Sequence, residues 1–321
     1  MFMQIYFYEA FEEEANQLHW HLGKDLLYGL TPKTIQETDH EEPPARLISI
    51  RTQSRVPPRW AGKLDGILSR STGFDHLLAL KPQLSQPVAL GYLEEYSTRA
   101  VAEHAILLTH SLLRKLPQQI RQFGEFKRDG LTGTECAGKR MLVVGVGRIG
   151  SEIVTIAKAM GFVVKGVDLV RDKPGVEYTT REEGIRWADV IVCAMNLTEE
   201  NKGYFSYDLL FNASKGSIFV NIARGEISPL MDLEMLLEEG ILGGVGLDVF
   251  EHESALAVEL RLHEHPHSDL MLRVQRMLKH PNVLFTPHNA FNTREAVERK
   301  TAMTVQQIRH FQKHNEFLWK V

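Results

Sequence analysis

The chain has 321 residues, with 37 basic against 41 acidic for a formal charge of -4, and only two cysteines. That length exceeds one small core and fits two domains of ordinary size with a cleft between them, while the near balance of charge offers no broad footprint for nucleic acid or an anionic membrane. Cys136 and Cys193 stand far apart and in no metal-ligand spacing, so no disulfide framework or metal site is indicated, and a cytoplasmic protein acting on a small molecule is expected.

The opening residues, MFMQIYFYEAFEEE, lack the basic flank of a signal peptide. No stretch approaches the roughly 18 to 20 apolar residues of a membrane span, so a soluble chain is expected. MQIYFY (3–8), RLISI (46–50), DGILSRS (65–71) and PVALGYL (87–93) read as short strands, separated by helical or loop stretches such as FEEEANQLHWHL (11–22) and RVPPRW (55–60). These make one α/β unit. In STRAVAEHAILLTHSLLRKL (97–116) apolar residues recur almost all round, the pattern of a long, largely buried helix linking the first domain to the second.

MLVVG (141–145), a helix from Arg148 to about Met160, and FVVKGVD (162–168) then form a strand-helix-strand run. Further strands follow at DVIVCAM (189–195), SIFVNI (217–222), GGVGLDV (243–249) and NVLFT (282–286), alternating with helical segments such as SPLMDLEMLLEEG (228–240). The alternation predicts a parallel, doubly wound sheet. The stretch from Thr293 to Trp319 reads as a helix that crosses back to the first domain. The expected fold class is therefore α/β, with two Rossmann-like or flavodoxin-like domains built on parallel sheets and the first of them discontinuous. Residues 1–99 plus 292–321 form the substrate-binding domain, and residues 100–291 the dinucleotide-binding domain.

The strand MLVVG leads into Gly145, Gly147 and Gly150, with Arg148 and Ile149 between the last two, at the start of a helix. Gly145 allows the tight bend, Gly147 lets backbone approach a pyrophosphate, Gly150 lets helix pack on strand, and the helix N-terminus faces the phosphates. Asp168 lies at roughly the 20-residue offset expected of the acid that binds the adenosine ribose hydroxyls. It favours NAD over NADP, because a 2'-phosphate there meets like charge, although Arg171 nearby softens that repulsion.

Three later residues complete a chemistry. Arg224, in NIARGE after a strand, has the planar fork that binds a carboxylate at two points. His288, after Thr286 and Pro287 at another strand end, titrates near neutrality and is the candidate proton donor. Glu253, beside a proposed loop start, is placed to accept a hydrogen bond from that ring and favour the imidazolium. With a hydride from the dinucleotide, this set predicts reduction of a 2-oxo acid.

In order and spacing, GVGRIG with Asp168, NIARG, DVFEHE and TPH make the chain resemble the D-isomer-specific 2-hydroxyacid dehydrogenases. RSTGFDHL (70–77) and AVAEHA (100–105) extend the resemblance over essentially the whole chain. It implies that Arg224, Glu253 and His288 are the carboxylate-binding, tuning and acid/base residues, that Asp248 is a supporting acid near the nicotinamide, and that the backbone at Thr72 and Gly73 caps the substrate carboxylate. HNAFNTREAV and the long stretch between Glu253 and His288 are similar to the D-lactate dehydrogenase branch, which implies that Phe291, with Tyr96 as another wall, lines the side-chain pocket. A pyruvate-like or larger apolar 2-oxo acid, reduced to the R-hydroxy acid by a homodimer, is the expectation. Two departures stand out: Ser254 where proline commonly follows the glutamate, and MNLTEEN (195–201) in place of a proline-containing run.

The rival enzymes are hydroxypyruvate, glyoxylate or phosphohydroxypyruvate reductases of the same superfamily, the last disfavoured by the lack of room for a regulatory domain after Val321. Phosphite oxidation is disfavoured because Thr72 stands where that branch carries lysine. A rival of another class is an NAD-sensing, corepressor-like interaction protein. His263, His265 and His267 read as a solvated polar loop, not a metal site, and Arg51, Arg55 and Arg59 as a solvated basic face, with recognition of a second substrate anion as the alternative.

Overall fold

In the computed structural model, which describes residues 3–23, 26–262 and 268–321, the chain divides into two compact units, Met1–Ser97 with Asn292–Val321, and Thr98–Phe291. His263, His265 and His267 lie outside the described residues.

The first unit is built on β1 (Ile5–Phe7), β2 (Tyr28–Leu30), β3 (Leu47–Ile50), β4 (Gly66–Ser69) and β5 (Ala89–Gly91). All pair in parallel in the order β2-β1-β3-β4-β5. The strand order reverses between β1 and β3, as in flavodoxin-like sheets. β2 was not foreseen, because three residues with a central glycine carry too little periodicity to read. Helix α1 (Glu12–Leu22) opens with three glutamates, which suit the positive end of the helix dipole, and buries Glu14, Leu18 and Leu22 at four-residue spacing. A short helix α2 (Asp75–Leu80) follows β4.

The C-terminal helix α11 (Arg294–His314) belongs to this unit. Thr293 caps it by accepting from the Ala296 N–H, and Asn315 ends it in the left-handed region at φ 54°. What ties it to α1 is a buried ion network. Glu14 Oε1 meets Arg70 Nε at 2.8 Å and Lys300 Nζ at 3.0 Å, with all three side chains at most 1% exposed. Arg70 also donates to the Ser49 hydroxyl in β3 and to the carbonyl of Tyr8, the residue after β1, so its fork is satisfied. Burial pushes the Glu14 carboxyl up, but the Arg70 and Lys300 charges more than offset this and hold it down at about 2.

The second unit starts with α3 (Thr98–Leu113), which is buried along most of its length, and α4 (Leu116–Gln122). Its sheet comprises β6 (Arg140–Val144), β7 (Val163–Val167), β8 (Glu177–Tyr178), β9 (Val190–Cys193), β10 (Ser217–Asn221), β11 (Leu242–Leu247) and β12 (Val283–Phe285). The order is β12-β11-β10-β9-β6-β7-β8, parallel throughout. The crossovers are α5 (Arg148–Ala159), α6 (Arg181–Trp187), α7 (Tyr207–Leu210) and α8 (Leu230–Glu238), and α9 (Glu253–Leu262) and α10 (Asp269–Leu278) lie between β11 and β12. Central strands such as β10 are buried at every residue, as parallel sheets covered on both faces require. The chain leaves β6 toward β8, then returns to β9 on the other side, so the strand order reverses between β6 and β9. Open α/β sheets bind ligands at that reversal, outside the carboxyl ends of the strands.

Candidate active site

The glycine turn sits at this reversal. Gly145 follows β6 at φ +90°, and a Cβ there would lie 2.6 Å from the Met195 backbone nitrogen beyond β9. A Cβ on Gly150 would overlap the Gly145 carbonyl oxygen, so α5 enters the turn only with glycine at both places. Gly147 differs: it is the N-cap residue of α5, no side chain caps the helix there, and an added Cβ would meet nothing within 4 Å. Arg148 and Ile149 open the first turn, whose N–H groups form an anion cradle bordered by open space.

Asp168, at the end of β7, accepts the Val146 N–H at 2.6 Å and the Val170 N–H at 3.0 Å. One carboxylate therefore braces the glycine turn while keeping lone pairs for further donors. This cradle, edged by an acid, fits a dinucleotide.

Arg224, Glu253 and His288 follow β10, β11 and β12, three neighbouring strands. The Arg224 turn is fixed by Asn221, fully buried at the end of β10. Its amide accepts from the Ala223 N–H and donates to the Arg224 carbonyl and the Ser228 hydroxyl at 2.8–2.9 Å. Gly225 lies so close to the Phe250 carbonyl and the Glu251 nitrogen that any Cβ would overlap them, which seats the Arg224 turn on the segment leading to Glu253. Arg224 donates one guanidinium hydrogen to the Ala223 carbonyl at 2.8 Å.

Glu253 is the first residue of α9 rather than a loop residue, because His252 takes φ 50° and α9 begins immediately after it. A helix N-terminus favours the charged carboxylate. Glu253 Oε1 lies 2.7 Å from His288 Nδ1, and both side chains are 19% exposed. Because a carboxylate only accepts, Nδ1 carries the hydrogen and Nε2 is left as the nitrogen that exchanges protons.

His288 itself takes φ +51°, which a non-glycine residue seldom adopts. Asp248 over-determines it. That carboxylate, 1% exposed, accepts the Thr286 hydroxyl at 2.5 Å and the N–H groups of Asn289 and Ala290 at 2.8 and 2.9 Å. The resemblance implies a place for Asp248 near the nicotinamide, and within the protein its carboxylate braces the turn that carries His288. Asn221 and this use of Asp248 escaped the sequence reading, although a polar residue ending an apolar strand is a usable signal.

The remaining candidates divide between the units. In the first, Thr72 is exposed after β4, and Ser71 donates to the Gly73 carbonyl while meeting Ser69, which in turn meets His76 Nε2 at 2.9 Å. This network shapes the loop holding Thr72 and Gly73. Tyr96 is buried, and its carbonyl accepts from Arg299. Phe291, the last residue of the second unit, is also buried.

Arg55 and Arg59 are exposed, but Arg51 is not part of a solvated face. It is half-buried, lies 5.6 Å from the Phe11 ring, and its charge reaches Glu14. The cause is Glu9, left-handed at φ 55°, whose carboxylate accepts the Arg51, Gln53 and Ser54 N–H groups and folds the loop inward. Both cysteines are free and buried, and burial pushes the Cys193 thiol up to about 12. Among the described residues no helix is long and apolar enough to cross a membrane, and no three His, Cys, Asp or Glu side chains gather as a metal would require.

Residues 105–290 match the family described as D-isomer specific 2-hydroxyacid dehydrogenase, NAD binding domain. The chain is 34% identical over 224 residues to D-3-phosphoglycerate dehydrogenase of Bacillus subtilis, a match covering 68% of this chain but only 39% of that protein. It is 31% identical over 258 residues to 2-hydroxyacid dehydrogenase A of Aspergillus oryzae, covering 78% and 73% of the two chains. The solved structure of D-lactate dehydrogenase from Aquifex aeolicus, complexed with NAD and lactic acid, superposes with a TM-score of 0.86 at 26% identity over 98% and 99% of the chains. The anion cradle at the strand reversal, its acid, and the ordered arginine, glutamate and histidine thus have their explanation in descent: the chain belongs to the D-isomer-specific 2-hydroxyacid dehydrogenases, oxidoreductases that use NAD, in their D-lactate dehydrogenase-like branch.

Proposed function

We propose that the chain reduces a pyruvate-like or larger apolar 2-oxo acid to the R-hydroxy acid. The observation that carries this reading is the 2.7 Å pairing of Glu253 with His288 Nδ1, which commits Nε2 to proton exchange. Gly145, Gly147, Arg148, Ile149 and Gly150 hold the pyrophosphate and Asp168 the ribose, while Asp248 acts from beneath. NAD, when bound, supplies the hydride. Protonated His288 delivers its Nε2 hydrogen to the substrate oxygen, and Glu253 holds the ring in place through its Nδ1 hydrogen. Arg224 binds the substrate carboxylate and fixes which face of the carbonyl is reduced. Thr72 and Gly73 add backbone N–H donors for that carboxylate, and Phe291 and Tyr96 meet the substrate side chain.

The reading includes a cytoplasmic homodimer. The free cysteines suit a reducing compartment. Ile120, Phe123 and Phe126 are 66–75% exposed on and after α4 in the cofactor unit, an apolar stripe suited to pairing.

A panel of 2-oxo acids assayed by NADH oxidation, with chiral analysis of the product, tests the proposal. Turnover to the R-hydroxy acid by the parent and its collapse in His288→Ala are expected. NADH binding without turnover of any 2-oxo acid would replace the dehydrogenase reading with a sensor.

A further inference from the structure

His104, in the middle of α3, is a half-buried polar residue with no part in the roles above. Its Nε2 lies 3.0 Å from Thr286 Oγ1 and 3.6 Å from Asp248 Oδ1. The Thr286 hydroxyl donates its one hydrogen to Asp248 Oδ1 at 2.5 Å, so toward His104 it offers only lone pairs. The hydrogen between them therefore sits on His104 Nε2. The chain runs one way, from imidazole N–H to hydroxyl to carboxylate, and the same carboxylate receives the Asn289 and Ala290 N–H groups on the far side of His288. Burial lowers the proton affinity of His104 against the pull of Asp248, in keeping with a neutral ring whose one hydrogen is on Nε2.

We propose that His104 is a positioning residue: by donating to Thr286 it orients the hydroxyl onto Asp248, and so locks the left-handed turn that presents His288. The proposal rests on His288 as the acid/base group. α3 packs on the sheet under β10, β11 and β12, which makes it a rigid post from which His104 reinforces the hold of Asp248 on the turn at φ +51°. Without the His104 hydrogen, Thr286 still reaches Asp248 but loses its fixed direction, and the His288 ring departs from the substrate oxygen by a fraction of an ångström. The loss falls on proton transfer and not on cofactor affinity.

The test combines His104→Leu, Thr286→Val and His104→Gln, whose amide N–H reaches about as far as Nε2–H. The leucine and valine variants are expected to lower kcat about tenfold, with NADH Kd within about twofold of the parent. Their combination should be no worse than either alone, and His104→Gln should recover kcat to within about threefold. Hydrogen exchange at Asn289 and Ala290 should quicken about tenfold in His104→Leu and stay near parental in His104→Gln. Parental kcat and parental exchange in both disrupting variants overturn the proposal, as does a defect that His104→Gln shares in full. If His104→Leu does not fold, Thr286→Val carries the same readouts. If the parent turns over no 2-oxo acid, the functional reading fails, while the exchange measurement still decides whether His104 holds the turn.

Discussion

Replacing Glu14 by glutamine probes the polar centre of the discontinuous unit, where one carboxylate faces Arg70 Nε at 2.8 Å, Arg70 Nη2 at 3.5 Å and Lys300 Nζ at 3.0 Å. The substitution keeps shape and removes charge, leaving two cations out of water. Breaking one partner of a buried ion network costs about 3–5 kcal/mol. Arg70 stays charged, but Lys300 has an escape: burial, against the attraction of Glu14, already carries its pKa down from 10.5 to about 7.

The unfolded lysine holds its proton up to about 10.5 while the folded one releases it near 7, so parental stability rises with pH across that window. In Glu14→Gln the folded lysine deprotonates at still lower pH. The two proteins therefore run parallel above pH 7, and the cost of the substitution grows as pH falls below it. Glu14 acts in the opposite range: its folded pKa of about 2 lies below the ordinary 4.5, so its stabilisation is present above 4.5 and lost as pH falls toward 2. Urea unfolding followed by tryptophan fluorescence at pH 6 and pH 8 measures the difference. The expected loss is about 3–5 kcal/mol, larger at pH 6, with at least about 1 kcal/mol recovered by adding Lys300→Met. A loss below about 1 kcal/mol at both pH values, or one that shrinks on acidification, would refute the reasoning.

Gly225→Ala forces a Cβ into the Phe250 carbonyl and the Glu251 nitrogen, backbone atoms that cannot rotate away. A fall in kcat of about 100-fold is expected, against no change in the control Gly124→Ala, whose Cβ meets nothing within 4 Å. Asp168→Ala removes the acceptor of the Val146 and Val170 N–H groups, and a rise in NADH Kd of about 10- to 100-fold by fluorescence titration is expected. A change under about threefold would return the acid to a purely local role. Sedimentation should give a mass near twice 36.5 kDa for the parent and a monomer for Ile120→Glu with Phe123→Glu, and an unchanged mass in that variant would move the pairing surface elsewhere.

How far the sequence reveals this molecule depends on the range of the interaction concerned. β6, β9 and β10 are continuous apolar runs bounded by turns, so their burial on both faces is written locally. β2 and β8 carry three and two residues and exist only because a neighbouring strand pairs with them. α10 buries Met271, Val274 and Met277 at three-residue spacing, a signal present in the sequence and left unread amid the polar residues around it. Arg51 shows the opposite limit. Its fate is decided by Glu9, 42 positions earlier, whose left-handed backbone no propensity announces.

The arginine, glutamate and histidine proposed for the site stand in a readable series for a reason that lies in topology. On one side of a strand reversal, right-handed crossovers lay successive strands side by side, so residues ending β10, β11 and β12 become neighbours in the order in which they occur. Sequence order there is spatial order, and a motif series can be read as a site. No such rule unites Glu14 with Arg70 and Lys300, which come from a helix, a strand end and the returning C-terminal helix. Nor does one join His104 to Thr286, 182 positions on. Residues proposed for the chemistry follow strand order and can be picked out by reading, whereas the residues that brace them are recruited from wherever a donor is available. Substitutions of the second kind, such as His104→Leu and Thr286→Val, therefore test most directly whether the geometry of the first is maintained by the contacts described.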